Sequence, residues 1–181
     1  STFDFTGTPT PGNVTPTFNQ GIVSQWQNGS SGKVYGFEGS LSLPFSTFSS
    51  ALDGFGFLAS ASYTDSRVTE GGAAPINMPG LSKWVVNSTA YYEKNGFQVR
   101  ASARYRSDFL AEVSGLSLVR DKVMAASEVV FDAQIGYTFK EGMLKGLGVL
   151  LQGSNLTNEP FMTYYNNDKR QVRDYQNYGR N

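Results

Sequence analysis

The sequence predicts an all-β fold, an antiparallel segment of a transmembrane β-barrel, and three observations carry that expectation. Its strands alternate with period two between an apolar and a polar face, aromatic residues gather near the ends of the apolar faces, and short turns alternate with long polar connections. The alternation is clearest from Phe97, where Phe97, Val99, Ala101, Ala103 and Tyr105 interleave with Gln98, Arg100, Ser102, Arg104 and Arg106. Successive side chains of a strand point to opposite faces, so one face here is hydrocarbon and the other carries three arginines.

Residues 1–32 are rich in Thr, Pro, Asn and Gly and read as an outer loop, with a short strand at Ile22 to Gln27. Residues 33–158 carry six strands. Tyr35, Phe37, Gly39, Leu41, Leu43 and Phe45 oppose Gly36, Glu38, Ser40 and Ser42, and Phe55, Phe57, Ala59, Ala61 and Tyr63 oppose Gly56, Leu58, Ser60, Ser62 and Thr64. Trp84, Val86, Ala90 and Tyr92 oppose Asn87, Thr89, Tyr91 and Glu93, with Ser88 the one polar interruption. The Phe97 strand follows, and then Phe131, Ala133, Ile135, Tyr137 and Phe139 against Asp132, Gln134, Gly136, Thr138 and Lys140. The sixth strand, Gly146 to Asn158, is weaker, because Leu150 interrupts its polar face. Residues 159–181 read as an extracellular loop leading to a final strand that the sequence lacks. Strands of roughly ten residues suit a tilted bilayer crossing. A half-exposed soluble β-sandwich with aromatics in its core is the alternative.

Connection lengths give the strands a direction. Asn95-Gly96 is a two-residue hairpin signal, and Ser46 to Asp53 and Glu141 to Lys145 are compact, whereas Arg67 to Leu81, Phe109 to Ala126 and Glu159 to Tyr178 are long and polar. Outer-membrane barrels place short turns in the periplasm and long loops outside, so the Asn95 hairpin is expected inside and the Tyr164 loop outside. Composition is compatible, with 15 basic and 15 acidic residues and mean hydropathy of −0.32, since each strand turns half its residues to a polar interior. Zero cysteines exclude disulfides and thiolate metal sites, and zero histidines remove the usual general base, so no enzyme activity, metal or cofactor is expected. An open six-stranded sheet leaves unpaired edges that a bilayer does not tolerate, and closed barrels start at about eight strands, so the chain is expected to be a segment of a longer polypeptide.

Several blocks resemble the late barrel strands of TonB-dependent outer-membrane receptors. They are Lys33-Val-Tyr-Gly-Phe-Glu38, the run from Gly54 to Ser66, Met78-Pro-Gly-Leu-Ser-Lys83, Tyr91 to Phe97, Arg104-Tyr-Arg-Ser-Asp-Phe109, Asn155-Leu-Thr-Asn-Glu-Pro160 and Tyr175-Gln-Asn-Tyr-Gly-Arg180. Their order and spacing cover most of the chain. The resemblance implies a barrel of about 22 strands closed by an N-terminal plug, importing a scarce nutrient with energy relayed by TonB, and makes these the sixteenth to twenty-first strands. It implies as partners the rest of the receptor, outer-membrane lipid, TonB through a part not in this sequence, and a small-molecule nutrient. The plug and the TonB box have no counterpart here, so energy coupling is assigned to no residue.

Two groups of residues are candidates for function. Glu38, Glu93, Arg100, Arg104, Arg106, Asp132 and Lys140 are expected to face the lumen, either pairing with one another and with a plug or lining a path for an anionic ligand. Tyr164, Tyr165, Asn166, Asn167, Asp168, Arg170, Arg173 and Tyr175 sit in the outer loop, where aromatic faces beside amides and a carboxylate suit carbohydrate or an aromatic siderophore. An ordinary solvated loop has the same composition. Gly54-Phe-Gly56-Phe-Leu-Ala59 formally fits a dinucleotide fingerprint but lies inside a strand with no helix after it, and nothing suggests nucleic acid. Sequons at Asn13, Asn28, Asn87 and Asn155 carry no weight because the barrel reading implies a bacterial outer membrane, where that modification is not expected, and Asp53, Asp65, Glu70 and Asp168 lack calcium-loop spacing. The reading is a TonB-dependent transporter of carbohydrate, siderophore or cobalamin, with a passive porin-type pore and a soluble binding module as alternatives.

Overall fold

The computed structural model describes residues 2–4, 20–22, 31–69, 75–114 and 121–181. The strands are β1 (Thr2–Asp4), β2 (Gln20–Ile22), β3 (Ser31–Pro44), β4 (Phe55–Thr69), β5 (Trp84–Lys94), β6 (Phe97–Arg106), β7 (Phe109–Ser114), β8 (Asp121–Ala125), β9 (Glu128–Thr138), β10 (Gly148–Gly153), β11 (Phe161–Tyr165) and β12 (Val172–Gln176). β1 and β2 form a sheet of two. The expected strand at Ile22 to Gln27 lies outside the described residues, apart from Ile22 at the end of β2.

The wall is one antiparallel sheet ordered β10-β9-β6-β5-β4-β3. Its edges, β3 and β10, carry no further strand among the described residues, so the barrel is not closed by this segment. The register keeps the apolar faces of the strands in phase. Phe37, Tyr63 and Trp84 form one row, Leu41, Ala59, Ser88, Ala103 and Phe131 a second, and Phe55, Tyr92, Val99, Ile135 and Leu151 a third. A slip of one residue in any pair would move that strand's whole apolar set to the other face. The apolar face is open: Phe37 is 63% and Leu151 71% exposed.

Aromatic rings bound this face at both ends. Tyr63 lies 5.5 Å from Phe37 and 4.9 Å from Trp84, and at the other end Phe55 lies 4.5 Å and Phe97 6.1 Å from Tyr92. Phe55 to Tyr63, Trp84 to Tyr92 and Phe97 to Tyr105 are equal steps of sequence. At ~3.3 Å per residue and a tilt of ~40°, that separation is about 20 Å along the barrel axis, close to the ~25 Å apolar band of an outer-membrane barrel.

The turn end is built tightly. Asn95 and Gly96 both have positive φ, 53° and 87°, as the hairpin turn requires, and the missing Gly96 side chain lets the turn lie against the Thr138 carbonyl. The sixth strand is shorter than expected: only Gly148–Gly153 pairs, between Gly146 with φ 88° and Asn155 with φ 51°. Leu150 does not break it, because Leu150 falls opposite Gly136, whose absent side chain leaves room for it.

At the other end the long connections contain strands: β7 with β8, and β11 with β12, join in a second sheet ordered β12-β11-β8-β7. The main hydrophobic core among the described residues lies here, in Leu110, Val123, Ala125 and Tyr164, all at most 3% exposed. The wall has no such core among the described residues, since one of its faces is apolar and open and the other polar.

Candidate functional site

The polar face of the wall carries two cross-strand ion pairs and an arginine bonded to a neighbouring connection. Arg100 crosses the Asn95 hairpin to Glu93, with its Nε 3.0 Å from Oε1. Arg104 reaches Asp132 at 3.3 Å, and the other oxygen of Asp132 accepts the Asn155 backbone N–H at 2.9 Å. Arg106 donates to Ser82 Oγ at 2.6 Å and to the Gly80 carbonyl at 2.9 Å, and its guanidinium stacks 3.8 Å over the Phe109 ring. Arg106 is therefore a clamp: it pins the 75–83 connection, which Ser66 Oγ also holds at the Met78 N–H and Leu110 at the Gly80 N–H. Glu38 stands exposed opposite Ser62. Lys140 is exposed, two residues beyond the end of β9 at Thr138.

The outer-loop residues divide by role. Leu110, Met124 and Tyr164 fall in one row of the second sheet, and Tyr164 is buried at 3% exposure, which pushes its phenol pKa up. Tyr165 is half-buried with the Arg173 guanidinium 6.0 Å from its ring. Asn166 and Asn167 take positive φ, 52° and 62°, at the hairpin tip, and Asn166 also bonds the Lys122 N–H at 3.2 Å and Asp121 at 3.1 Å. Asp168 accepts from the Arg170 N–H at 3.0 Å and from its guanidinium at 2.9 Å, which holds the carboxyl below its usual range. Arg173 pairs with Glu112, which raises its own pKa. Outside these bonds stand Tyr175 and Tyr178, 61% and 68% exposed.

A depressed carboxylate pKa stabilises the fold above the unfolded value of about 3.9, and that contribution is lost as pH falls through the folded value. The Arg170 amide, bonded to Asp168, is therefore expected to keep constant hydrogen-exchange protection from pH 8 to 5, after correction for intrinsic rate. Protection falls only below about pH 4; a loss already at pH 6 would contradict the pairing.

Two features escaped the sequence reading. Asn155 organises the end of β10: its Oδ1 accepts the Glu159 N–H at 2.8 Å, and its Nδ2 donates to the Glu159 carbonyl at 3.1 Å and the Gly179 carbonyl at 3.3 Å. Beside it lies a cleft of about 350 Å³ lined by Glu128, Asn155, Glu159, Phe161, Tyr178 and Asn181. The Asn155-to-Pro160 block hinted at this turn, but the cleft needs residues 178–181 brought back to Ser154, whose carbonyl accepts the Asn181 N–H at 3.1 Å.

The sequence profile of the TonB dependent receptor-like β-barrel family matches residues 2–156. The chain belongs to this family. No curated protein and no solved structure matches it. In a barrel of this kind one face of the wall meets lipid and the other the interior. TonB-dependent receptors are outer-membrane transport proteins with a plug domain and a TonB interaction, and the family is one of transporters and receptors rather than enzymes. The acidic residues weighed as calcium ligands are engaged otherwise: Asp53 meets Lys94 at 3.2 Å, Asp65 meets Lys83 at 3.5 Å and Asp168 meets Arg170, while Glu70 lies outside the described residues.

Proposed function

We propose that this segment forms wall and outer-loop structure of a TonB-dependent transporter in the bacterial outer membrane, and that the transported nutrient is a neutral, hydroxyl-rich molecule, a carbohydrate. The Asn95 hairpin then faces the periplasm and the second sheet the exterior. Energy coupling runs through a plug and TonB box outside this sequence.

One observation carries the choice of ligand class: among the described residues, five arginines of the polar face and outer sheet already have acceptors. Arg100 holds Glu93, Arg104 holds Asp132, Arg106 holds Ser82 and Gly80, Arg170 holds Asp168 and Arg173 holds Glu112. An anionic ligand would have to break such pairs. The exposed rings of Tyr175 and Tyr178, and the cleft that adds Glu128, Glu159 and Phe161, instead offer stacking faces beside carboxylates that accept sugar hydroxyls.

The test is calorimetric titration of the full receptor with a panel of oligosaccharides and ferric siderophores. Binding of an oligosaccharide, weakened about five-fold by Tyr178→Ala as expected for one lost aromatic contact of about 1 kcal/mol, supports the reading. Binding of an anionic siderophore alone would overturn it.

A further inference from the structure

Just past the loop-end aromatic row, the lipid side of the wall changes from apolar to strongly basic. Beyond Phe37, Tyr63 and Trp84, the next row pairs Tyr35 with Asp65, and the row after it pairs Lys33 with Arg67. Asp65 is 5% exposed and accepts the Tyr35 hydroxyl at 2.8 Å. Lys83 and Arg67 approach it at 3.5 and 3.8 Å while keeping side-chain exposures of 52% and 72%. The carboxylate is thus enclosed and the cations point outward. With Lys33 beside Arg67 in the outer row, three cations and one carboxylate leave an excess of two positive charges, on a face whose next rows are bare hydrocarbon.

We propose that Lys33, Arg67 and Lys83 bind the phosphate of a membrane-lipid headgroup, with the acyl chains of that lipid lying on Phe37 and Leu41. The placement fits a headgroup. Aromatic belts mark the boundary between hydrocarbon and headgroups, and the Lys33–Arg67 row lies about 13 Å along the strand beyond that belt, or about 10 Å along the membrane normal. The chemistry fits as well: an arginine fork grips phosphate oxygens in bidentate fashion, and lysines beside it add point charge. Phe37, 63% exposed, and Leu41, 52% exposed, supply the surface that a free phosphate could not use. Asp65 and Tyr35 are positioning residues, since they hold Lys83 and Arg67 together at one spot.

The proposal rests on the lipid-side assignment of this face and is separate from the ligand class. It is tested on the full receptor in a neutral detergent, titrated with dioleoyl phosphatidic acid or with dioleoylglycerol, and read by native mass spectrometry. Phosphatidic acid is expected to be retained at least ten-fold more than dioleoylglycerol, and a Lys33→Gln, Arg67→Gln, Lys83→Gln triple variant to lose that preference. A Lys33→Arg, Lys83→Arg variant keeps it. Equal retention of the two lipids, or an unchanged preference in a triple variant that still migrates as a folded barrel, would overturn the site. If the triple variant fails to fold, the single Arg67→Gln variant decides, with a several-fold loss expected and none contradicting. Displacement by inorganic phosphate at concentrations matching phosphatidic acid would assign the cluster to free phosphate and overturn the lipid.

Discussion

Replacing Tyr164 by Ala is expected to open the outer sheet while leaving the membrane wall intact. Tyr164 is 3% exposed in a core that otherwise consists of Leu110, Val123 and Ala125, and truncating a buried aromatic costs about 3 kcal/mol. So small a core has no reserve to absorb that loss. Local opening is then favoured about 100-fold, and trypsin is expected to cut at Lys122, Lys169 and Arg173 correspondingly faster. The urea transition of the wall stays where it was, because the wall shares no core with this sheet. Tyr165→Ala, at a half-buried position stacked with Arg173, leaves the cleavage rate nearly unchanged. Replacing both tyrosines weakens ligand binding, with the Tyr164 share arriving through loss of the sheet rather than of a contact. A Tyr164→Ala receptor as protease-resistant as the parent would show that the sheet is held by something else.

An arginine at position 101 is expected to be far more damaging than one at the very next residue. Ala101 lies midway between the ring rows, flanked across the strands by Ala90 and Ala133. In the membrane it sits near the bilayer centre, where an arginine on the lipid face costs about 2–4 kcal/mol. Ser102 lies on the polar face between Thr89 and Asp132. Ser102→Arg gives up one hydroxyl contact with Thr89, 2.9 Å long, worth about 1 kcal/mol or less, and gains a nearby carboxylate. Urea unfolding of the two variants in lipid vesicles separates these effects: a large downward shift for Ala101→Arg and little for Ser102→Arg.

The wall was legible in the sequence because a barrel strand repeats one rule for ten residues or more, and six such strands reinforce one another. Phe55 to Tyr63 and Phe97 to Tyr105 show that rule without help from any partner. The outer sheet follows no such rule. β12 reads Val-Arg-Asp-Tyr-Gln and is a strand only because β11 lies beside it, and β7 and β8 are too short, and β7 too bulged near Ala111, for alternation to show. The tyrosine pair at 164 and 165 was visible as chemistry, but which ring is buried depends on the pairing of β11 with β8, a contact some forty residues away in sequence. Parity alone groups the charges of one strand face, and the Glu93–Arg100 pair follows from the hairpin between them. The clamp made by Arg106 needed the fold of the 75–83 connection.

The central claim is that odd-numbered residues of β6 face lipid and even-numbered ones face water. This chain has no cysteine, so single cysteines placed from Val99 to Arg104, in a receptor without other thiols, report each position separately through an attached fluorophore. In lipid vesicles, brominated acyl chains are expected to quench positions 99, 101 and 103 strongly and 100, 102 and 104 weakly, while aqueous iodide shows the inverse. Uniform quenching by iodide along the strand, with none from the lipid, would mean that this sheet never enters a membrane.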